Sequence, residues 1–295
     1  MEYSNHLRNG ESMVNVSNPR QAGREALQAS VHPEVWKRNG AHTDELRQLI
    51  RTHRLANHQL ISFLNEKTIT VDVARWMHLE CLHAFTQHFT DSVIQAMVTA
   101  AQLEPRLGTQ AKIAARFLLM MNVIDELGFQ PVAENEKGTG EYKGNPALAH
   151  AIEYSKTLDS LGTTPEILAA YTPSQAAIAA RQVFTDSYTD HAELTCVLAV
   201  GESIFANIAS PWAENTGRST DIDVSKGYHT IHVEDEGGHS IDHDHSEDSW
   251  CLFRQAIVPE RYSEFKEKLV KWCDTWAALA DHLVVTGQGM LRNSK

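Results

Sequence analysis

The chain has 295 residues, which is long enough to bury a sizeable hydrophobic core within one large domain. Lys and Arg number 26 against 38 Asp and Glu, and the resulting formal charge of -12 argues against nucleic acid as a partner. The polar N-terminal segment has no apolar signal region, and no later stretch offers about 18 uncharged apolar residues in a row. We therefore expect a cytoplasmic protein that does not use a membrane as a partner.

Cysteine and histidine usage narrows the class of protein further. The four cysteines are far apart and form no C-x-x-C pair, which predicts free thiols at Cys81, Cys196, Cys251 and Cys273. The 16 histidines are the unusual feature, and several of them lie between residues 229 and 245. That concentration of imidazole indicates either metal binding or merely a histidine-rich loop.

Hydrophobic periodicity predicts an all-α protein. Residues 1–31 are polar and lack periodicity, so we expect a loosely held N-terminal arm that carries no chemistry. The remaining chain shows apolar spacings of three and four and no sustained alternation with period two. Helices are predicted at 43–67, 70–101, 109–127, 146–160, 165–171, 174–209, 222–243 and 259–288. These elements favour a helical bundle or an orthogonal helical array.

The clearest candidate for a metal site lies in the histidine-rich segment. In a continuous helix, His232, Glu236 and His239 share one face, so two imidazoles and a carboxylate can converge on one point. This ligand set is typical of non-haem iron oxygenases. Gly237 and Gly238 weaken the helix on which the prediction depends, and the alternative is a solvated, acidic, histidine-rich loop.

Two glutamates stand alone in otherwise apolar helices. Glu202 is the only charged residue between Glu193 and Glu214, and a buried carboxylate needs a salt bridge, a hydrogen bond or a metal ion. Glu126 lies at the end of a largely buried helix, where a carboxylate is unfavourable without a compensating cation. Both are candidate metal ligands, with an ordinary salt bridge or helix-end charge as the alternative.

Together these residues resemble the haem-oxygenase-like diiron oxidases and oxygenases, over roughly residues 76–283. That family has an N-x-x-D-E-x-G stretch, here Asn122–Gly128, whose glutamate binds metal and corresponds to Glu126. Its second ligand glutamate corresponds to Glu202. Its last ligand helix carries H-x-x-x-D-x-x-H after an aromatic residue, which is matched here by Tyr228 followed by His232, Glu236 and His239, with Glu in place of Asp.

The sequence departs from the family pattern at one ligand. The family's histidine after the first glutamate opens a phrase resembling H-P-x-L, which reads Asn145-Pro-Ala-Leu here. His150 lies five residues further along and can take the role if the helix is rotated; otherwise Asn145 or water fills the position. Glu80 and His83, three residues apart on the predicted 70–101 helix, form a competing ligand pair.

The resemblance implies a fold and a chemistry. It implies one haem-oxygenase-like helical domain over residues 32–295, two Fe(II) ions per chain, O2 as co-substrate, an external reductant and electron donor, and a homodimer as a family expectation. The substrate is then a small amino acid, amine or fatty acid. The reaction is N-oxygenation, desaturation or C–C cleavage, or decarboxylation. The alternatives are a metal-independent enzyme on the same fold, like thiaminase or pyrroloquinoline quinone synthase, and a non-enzymatic histidine-rich metal binder.

Overall fold

The computed structural model describes residues 18–130, 143–233 and 241–293 and is all-α, as predicted, with 82% helix and 1% strand. The helices are α1 (Pro19–Ala29), α2 (Pro33–Thr52), α3 (Gln59–Glu66), α4 (Val71–Cys81), α5 (Gln87–Thr99), α6 (Glu104–Leu107), α7 (Thr109–Glu126), α8 (His150–Ser160), α9 (Pro165–Ala170), α10 (Gln175–Asp186), α11 (His191–Ser219), α12 (Tyr228–His232), α13 (Ile241–Ala256) and α14 (Tyr262–Asn293). A π-helical turn, Leu82–Thr86, joins α4 to α5. Strands β1 (Phe129–Gln130) and β2 (Lys143–Gly144) pair antiparallel.

Three predicted helices end earlier or break, each for a local reason. The predicted helix 43–67 is two helices, because the chain leaves α2 at His53 with extended backbone and His58 caps α3 through its ring nitrogen. The predicted helix 174–209 breaks at residues 187–190, where Asp190 accepts a hydrogen bond from the backbone amide of Glu193 and begins α11. The predicted helix 222–243 is wrong, since α12 ends at His232 and Val233 is extended.

The expected loose arm at the N-terminus is also wrong over residues 19–29. These residues form α1, which begins with a proline and is capped by Asn18, and Leu27 is completely buried. Arg20 on this helix forms ion pairs with Asp125 of α7 and Asp248 of α13. Residues 1–17 lie outside the described part of the chain.

Helix α11 runs through the middle of the core. Leu194, Val197 and Val200 have no exposed surface, and Ser203 approaches Ser246 of α13 with 2.8 Å between the hydroxyl oxygens. Small hydroxyl residues at this crossing let the two helices pack closely. Among the helices described, α11 also has the length and apolar composition of a membrane span, but 61% of its apolar window is buried inside the protein.

The turn after α7 brings two candidate ligands together. Gly128 has a φ of 82°, and a side chain there would meet the carbonyl oxygen of Asn145 at 2.7 Å, so only glycine allows the chain segments to approach so closely. The amide of Asn145 donates to the carbonyl of Gly128. This contact places the beginning of α8, with His150, beside the end of α7, with Glu126. The four cysteines are free thiols, as predicted.

Candidate metal centre

Six ligand-type side chains form one buried cluster, and four of the six line a mostly apolar cavity. They come from five helices, and none is more than 9% exposed: Glu126 of α7, His150 of α8, Glu202 of α11, His232 of α12, and Asp242 and His245 of α13. We call this set the carboxylate–histidine cluster. It contains three carboxylates and three imidazoles.

The two glutamates share the imidazole of His245. Its Nδ1 lies 3.3 Å from Oε1 of Glu202 and 3.9 Å from Oε1 of Glu126. Glu126 also lies 3.1 Å from Nδ1 of His150, and Thr90 donates a hydrogen bond to its other oxygen at 3.3 Å. The imidazole of His245 therefore stands between the two carboxylates, in the place where a cation can bridge them.

The other half of the cluster is built around His232. Its Nδ1 lies 2.6 Å from Oδ1 of Asp242, and its ring packs edge-on against the ring of His150 with 5.1 Å between centroids. Tyr228 and Phe205 close the apolar side, with ring centroids 4.5 and 5.2 Å from that of His232. The two halves are thus in contact through the ring pair His150 and His232.

Side chains behind the cluster hold His245 in place. The Nε2 atom of His245 lies 3.1 Å from Oδ2 of Asp125, which in turn pairs with Arg20 of α1. A histidine that binds metal through one nitrogen commonly donates the other to a carboxylate, which fixes its tautomer and orientation. Asp125 provides that carboxylate for His245, and α1 contributes to the site through Arg20.

The pKa values of the two glutamates in the cluster are shifted in opposite directions. For Glu126, burial alone favours the neutral acid, but the imidazoles of His150, His245 and His232 outweigh burial and lower its pKa to about 2. For Glu202, burial dominates over the hydrogen bond from His245 and raises its pKa to about 7. Burial acts against the charged form of His245, yet Asp125 and the two glutamates raise its pKa to about 10. Without metal, a proton on His245 is the positive charge between the two glutamates.

Several buried atoms of the cluster have no partner among the described residues. Nδ1 of His150, Nε2 of His232 and Oδ2 of Asp242 have no hydrogen bond to any described residue, and the approach of His150 to Glu126 lacks hydrogen-bond alignment. Unpaired buried lone pairs of this kind commonly mark a place for an ion or a water molecule. Mixed nitrogen and oxygen donors suit iron, manganese or zinc, so the residues present are compatible with a metal site.

The ligand atoms do not yet converge on a single point. Within residues 18–130, 143–233 and 241–293, no three histidine, cysteine or acidic side chains are arranged closely enough to hold an ion. The carboxylates and imidazoles instead turn toward each other as ion pairs. Binding a metal through Nδ1 of His245 therefore requires that nitrogen to release its proton, whereas Nε2 of His232 has no described partner to lose.

Four of the six predicted ligands lie in this cluster. They are Glu126, Glu202, His232 and His150, which is buried at the start of α8. Asn145, the alternative to His150, caps a short 3-10 turn. Glu236 and His239 lie outside the described residues. The helix that carries His232 ends at that residue, and the shared face of His232 with Glu236 and His239 stays a prediction.

Sequence reasoning missed Asp242 and His245. These residues have the D-x-x-H spacing of the family's last ligand helix, six positions after Glu236 and His239. In the sequence, the double glycine Gly237-Gly238 is the available signal, because two successive glycines are unfavourable in the middle of a helix. The described part of α13 begins at Ile241, and its first turns present both side chains to the cluster.

The competing pair on the predicted 70–101 helix has a different role. Glu80 is 1% exposed and accepts hydrogen bonds from the hydroxyl of Tyr171 and from the amide and hydroxyl of Ser174. His83 lies on the π-helical turn and is partly exposed. Neither belongs to the carboxylate–histidine cluster.

The cavity that ends at the cluster is mostly apolar and has a volume of about 110 Å³. That volume can hold several water molecules or a small organic molecule. The described residues in its wall are Leu55, Leu60, Cys81, Phe85, Thr86, Phe89, Glu126, His150, Ala151, Tyr154, Phe184, Gly201, Glu202, Ile204, Phe205, Ile208, Ala209, Trp212, Tyr228, His229, His232, Trp276, Leu279, Ala280 and Leu283. The π-helical turn contributes Phe85 and Thr86, in keeping with the frequent presence of such turns at functional sites.

Comparison with protein-family models and with curated protein sequences finds no match.

Proposed function

We propose that the chain is a non-haem diiron oxidoreductase of the haem-oxygenase-like type, which uses O2 to oxidise a small organic molecule. The observation that supports this most is the carboxylate–histidine cluster itself. Three buried carboxylates and three buried imidazoles from five helices meet in one cluster, and Glu126, His150, Glu202 and His232 of that cluster line an apolar cavity. That inventory is characteristic of carboxylate-rich dinuclear sites in helical proteins.

The six cluster residues are the proposed ligands. Their donor atoms match two divalent cations, since three carboxylates leave the charge of two ferrous ions largely neutralised. Bound ferrous iron would supply the electrons for reduction of O2, and an external reductant would restore them. Glu236 and His239, the ligands expected from the sequence, stay candidates outside the described residues.

The protein's own part in the chemistry is positioning and exclusion of water. Asp125, held by Arg20, accepts a hydrogen bond from Nε2–H of His245 and so leaves Nδ1 directed at the two glutamates. Thr90 holds one oxygen of Glu126. The apolar wall of the cavity keeps solvent from the reacting groups, which strengthens every electrostatic interaction inside.

The substrate, the electron donor and the setting are proposals as well. We propose a small-molecule substrate bound in the cavity, a cytoplasmic location and no role for nucleic acid or membrane. A homodimer remains an expectation from the family resemblance.

The test is anaerobic titration of the full chain with Fe(II), followed by measurement of O2 consumption. We expect about two ferrous ions per chain and O2 uptake that depends on them. Glu202→Ala and His245→Ala should bind less iron and consume no O2. His191→Gln changes a buried histidine at the start of α11, away from the cluster, and serves as the matched control. Absence of stoichiometric iron binding in the wild-type chain, or full binding in both cluster variants, would contradict the proposal.

A metal-independent enzyme on the same fold is the second candidate, and one observation favours it. The imidazole of His245 already supplies a positive charge to both Glu126 and Glu202, so the glutamates have a partner without iron. The same titration separates the two functions. The metal-independent enzyme binds no iron, and its activity is insensitive to a chelator.

A further inference from the structure

A second pair of buried histidines lies beside the cluster. His78 of α4 and His229 of α12 are 1% and 5% exposed, and their Nε2 atoms are 3.3 Å apart. The rings meet edge-on, with 5.4 Å between centroids. Two nitrogens at this distance share one proton, so one ring donates and the other accepts.

The backbone decides which ring donates. Nδ1 of His78 lies 2.7 Å from the carbonyl oxygen of Ala74, which can only accept, so Nδ1 carries the proton. A neutral His78 then has a bare Nε2, which accepts a hydrogen bond from Nε2–H of His229. The second nitrogen of His229, Nδ1, is left bare as an acceptor.

Both rings are neutral at pH 7. Burial lowers the pKa of His78 to about 4, and burial, with the nearby imidazoles of His78 and His232, lowers the pKa of His229 to about 3. Trp212 packs edge-on against His78, and Tyr154 donates a hydrogen bond to the carbonyl of His78 at 2.7 Å. The pair is therefore held in one orientation as well as in one protonation state.

His229 forms part of the cavity wall, whereas His78 lies behind it. No described residue makes a hydrogen bond to Nδ1 of His229. The described residues that line the cavity include no Lys or Arg, and apart from the cluster their polar groups are those of Cys81, Thr86, Tyr154, Tyr228, His229 and the two tryptophans. A ligand with an anionic head therefore meets the carboxylates of Glu126 and Glu202 and no described Lys or Arg in this wall, whereas a ligand with an N–H or O–H donor meets a bare imidazole nitrogen.

We propose that Nδ1 of His229 accepts a hydrogen bond from an N–H or O–H group of a small, largely apolar ligand in the cavity, and that His78 keeps His229 in the required tautomer. The ligand class is thus an apolar amine or alcohol. The inference depends on the proposed function in one respect, which is that this ligand is the substrate. The hydrogen bond would orient the ligand beside the carboxylate–histidine cluster.

The tautomers are tested by NMR of the full chain, labelled with 15N-histidine and kept free of iron. Protonated and bare ring nitrogens have distinct 15N resonances and distinct couplings to the ring protons. We expect a bare Nδ1 and a protonated Nε2 in His229, and the reverse in His78. A proton on Nδ1 of His229 would overturn the proposal.

Ligand class is tested with three probes of equal chain length: hexanol, hexylamine and hexanoate. Hexanol and hexylamine represent the O–H and N–H donors, and at least one of them should bind and shift the Nδ1 resonance of His229. Hexanoate should do neither. Equal binding of all three probes, or binding of hexanoate alone, would contradict the assignment.

Two variants of His229 test the role of the acceptor nitrogen separately from the role of the rest of the ring. His229→Gln keeps a donor near the position of Nε2 and lacks the acceptor, so the favoured probe should bind about three- to tenfold more weakly. His229→Asn places an amide oxygen near the position of Nδ1 and should recover part of that loss. The matched control, His191→Gln, should bind the probe like the wild-type chain. Unchanged affinity in His229→Gln would overturn the proposal even if every variant folds.

These measurements use no iron, so they fail or succeed independently of the diiron proposal. If iron does not bind but the His229 results hold, the cavity is a ligand site of another kind of enzyme. If iron binds but His229→Gln keeps full affinity for the probes, the orienting role of His229 is wrong and the metal centre stands.

Discussion

Two buried carboxylate sites in this protein look alike in the sequence and differ in their partners. Glu80 in α4 and Glu202 in α11 are 1% and 6% exposed, and both lie in largely apolar helices. Neutral groups satisfy Glu80, namely the hydroxyl of Tyr171 and the amide and hydroxyl of Ser174. Glu202 instead faces the imidazole of His245.

The difference shows what marks a candidate site. Burial of a carboxylate is not enough, since Glu80 is buried more completely than Glu202. Partners that are themselves titratable, and nearby lone pairs left unpaired, distinguish Glu202 and its neighbours. Neutral donors stabilise a carboxylate permanently, whereas imidazoles can exchange a proton for a metal ion.

The largest expected effect on stability comes from removing Glu80. Glu80→Leu leaves the hydroxyls of Tyr171 and Ser174 buried without an acceptor, so the free energy of unfolding should fall by about 2–5 kcal/mol. Urea unfolding measures the change. Glu80→Gln keeps an acceptor oxygen and should lose much less. Both variants should bind iron like the wild-type chain, and loss of iron binding would remove the distinction between the two sites.

A pH effect of about 3 kcal/mol is expected at His191, whose pKa burial lowers to about 4. The pKa of a histidine in the unfolded chain is about 6.5, so between these values the unfolded chain binds a proton that the folded chain excludes. Stability therefore falls as pH falls from about 6.5 to 4. His245 in the cluster is shifted in the opposite direction.

The check on His191 is urea unfolding of His191→Gln and wild type at about pH 7 and about pH 4.5. The variant should lose less stability than the wild type between the two values. Identical pH dependence in the two proteins would show that His191 is not held neutral by burial.

A smaller effect, about 1 kcal/mol, is expected for Tyr171→Phe. The substitution removes one of the three donors to Glu80, at 2.9 Å, and leaves both donor atoms of Ser174 in place. Thermal unfolding measures the change. A loss as large as that of Glu80→Leu would mean that Tyr171 alone holds this carboxylate.

The smallest change in stability is expected at Glu202. Glu202→Gln resembles the neutral acid, which burial favours by raising the pKa of Glu202 to about 7. Asp125 and Glu126 stay beside His245, so the free energy of unfolding of the iron-free chain should change by less than about 1 kcal/mol. Iron binding should nevertheless be lost. A destabilisation comparable to that of Glu80→Leu would indicate that Glu202 is a structural residue.

The helical class and two of the site's glutamates could be anticipated from local patterns. Hydrophobic periodicity extends over whole helices, and a single charge in an apolar helix, as at Glu202, is informative by itself. The positions of Asp242 and His245 could not be anticipated in the same way. They depend on where α12 ends and α13 begins, and element boundaries are the least reliable part of a periodicity argument.

His150 illustrates a second limit. Its approach to Glu126 depends on a contact between Gly128 and Asn145, which are separated in sequence by a segment outside the described residues. The role of α1 was missed for a similar reason, since Arg20 acts through ion pairs with residues more than one hundred positions away. Contacts between distant parts of the chain leave no periodic pattern in the sequence.

The most direct test of the metal centre is anomalous X-ray diffraction at the iron edge, from crystals grown without oxygen in the presence of Fe(II). The account predicts two iron peaks inside the carboxylate–histidine cluster, one within coordination distance of Glu126 and His150 and one within reach of Glu202 and His245. The same map decides whether Asp242 and His245, or Glu236 and His239, complete the ligand set. No iron peak between Glu126 and Glu202, with His245 still bridging the two carboxylates, would contradict the account.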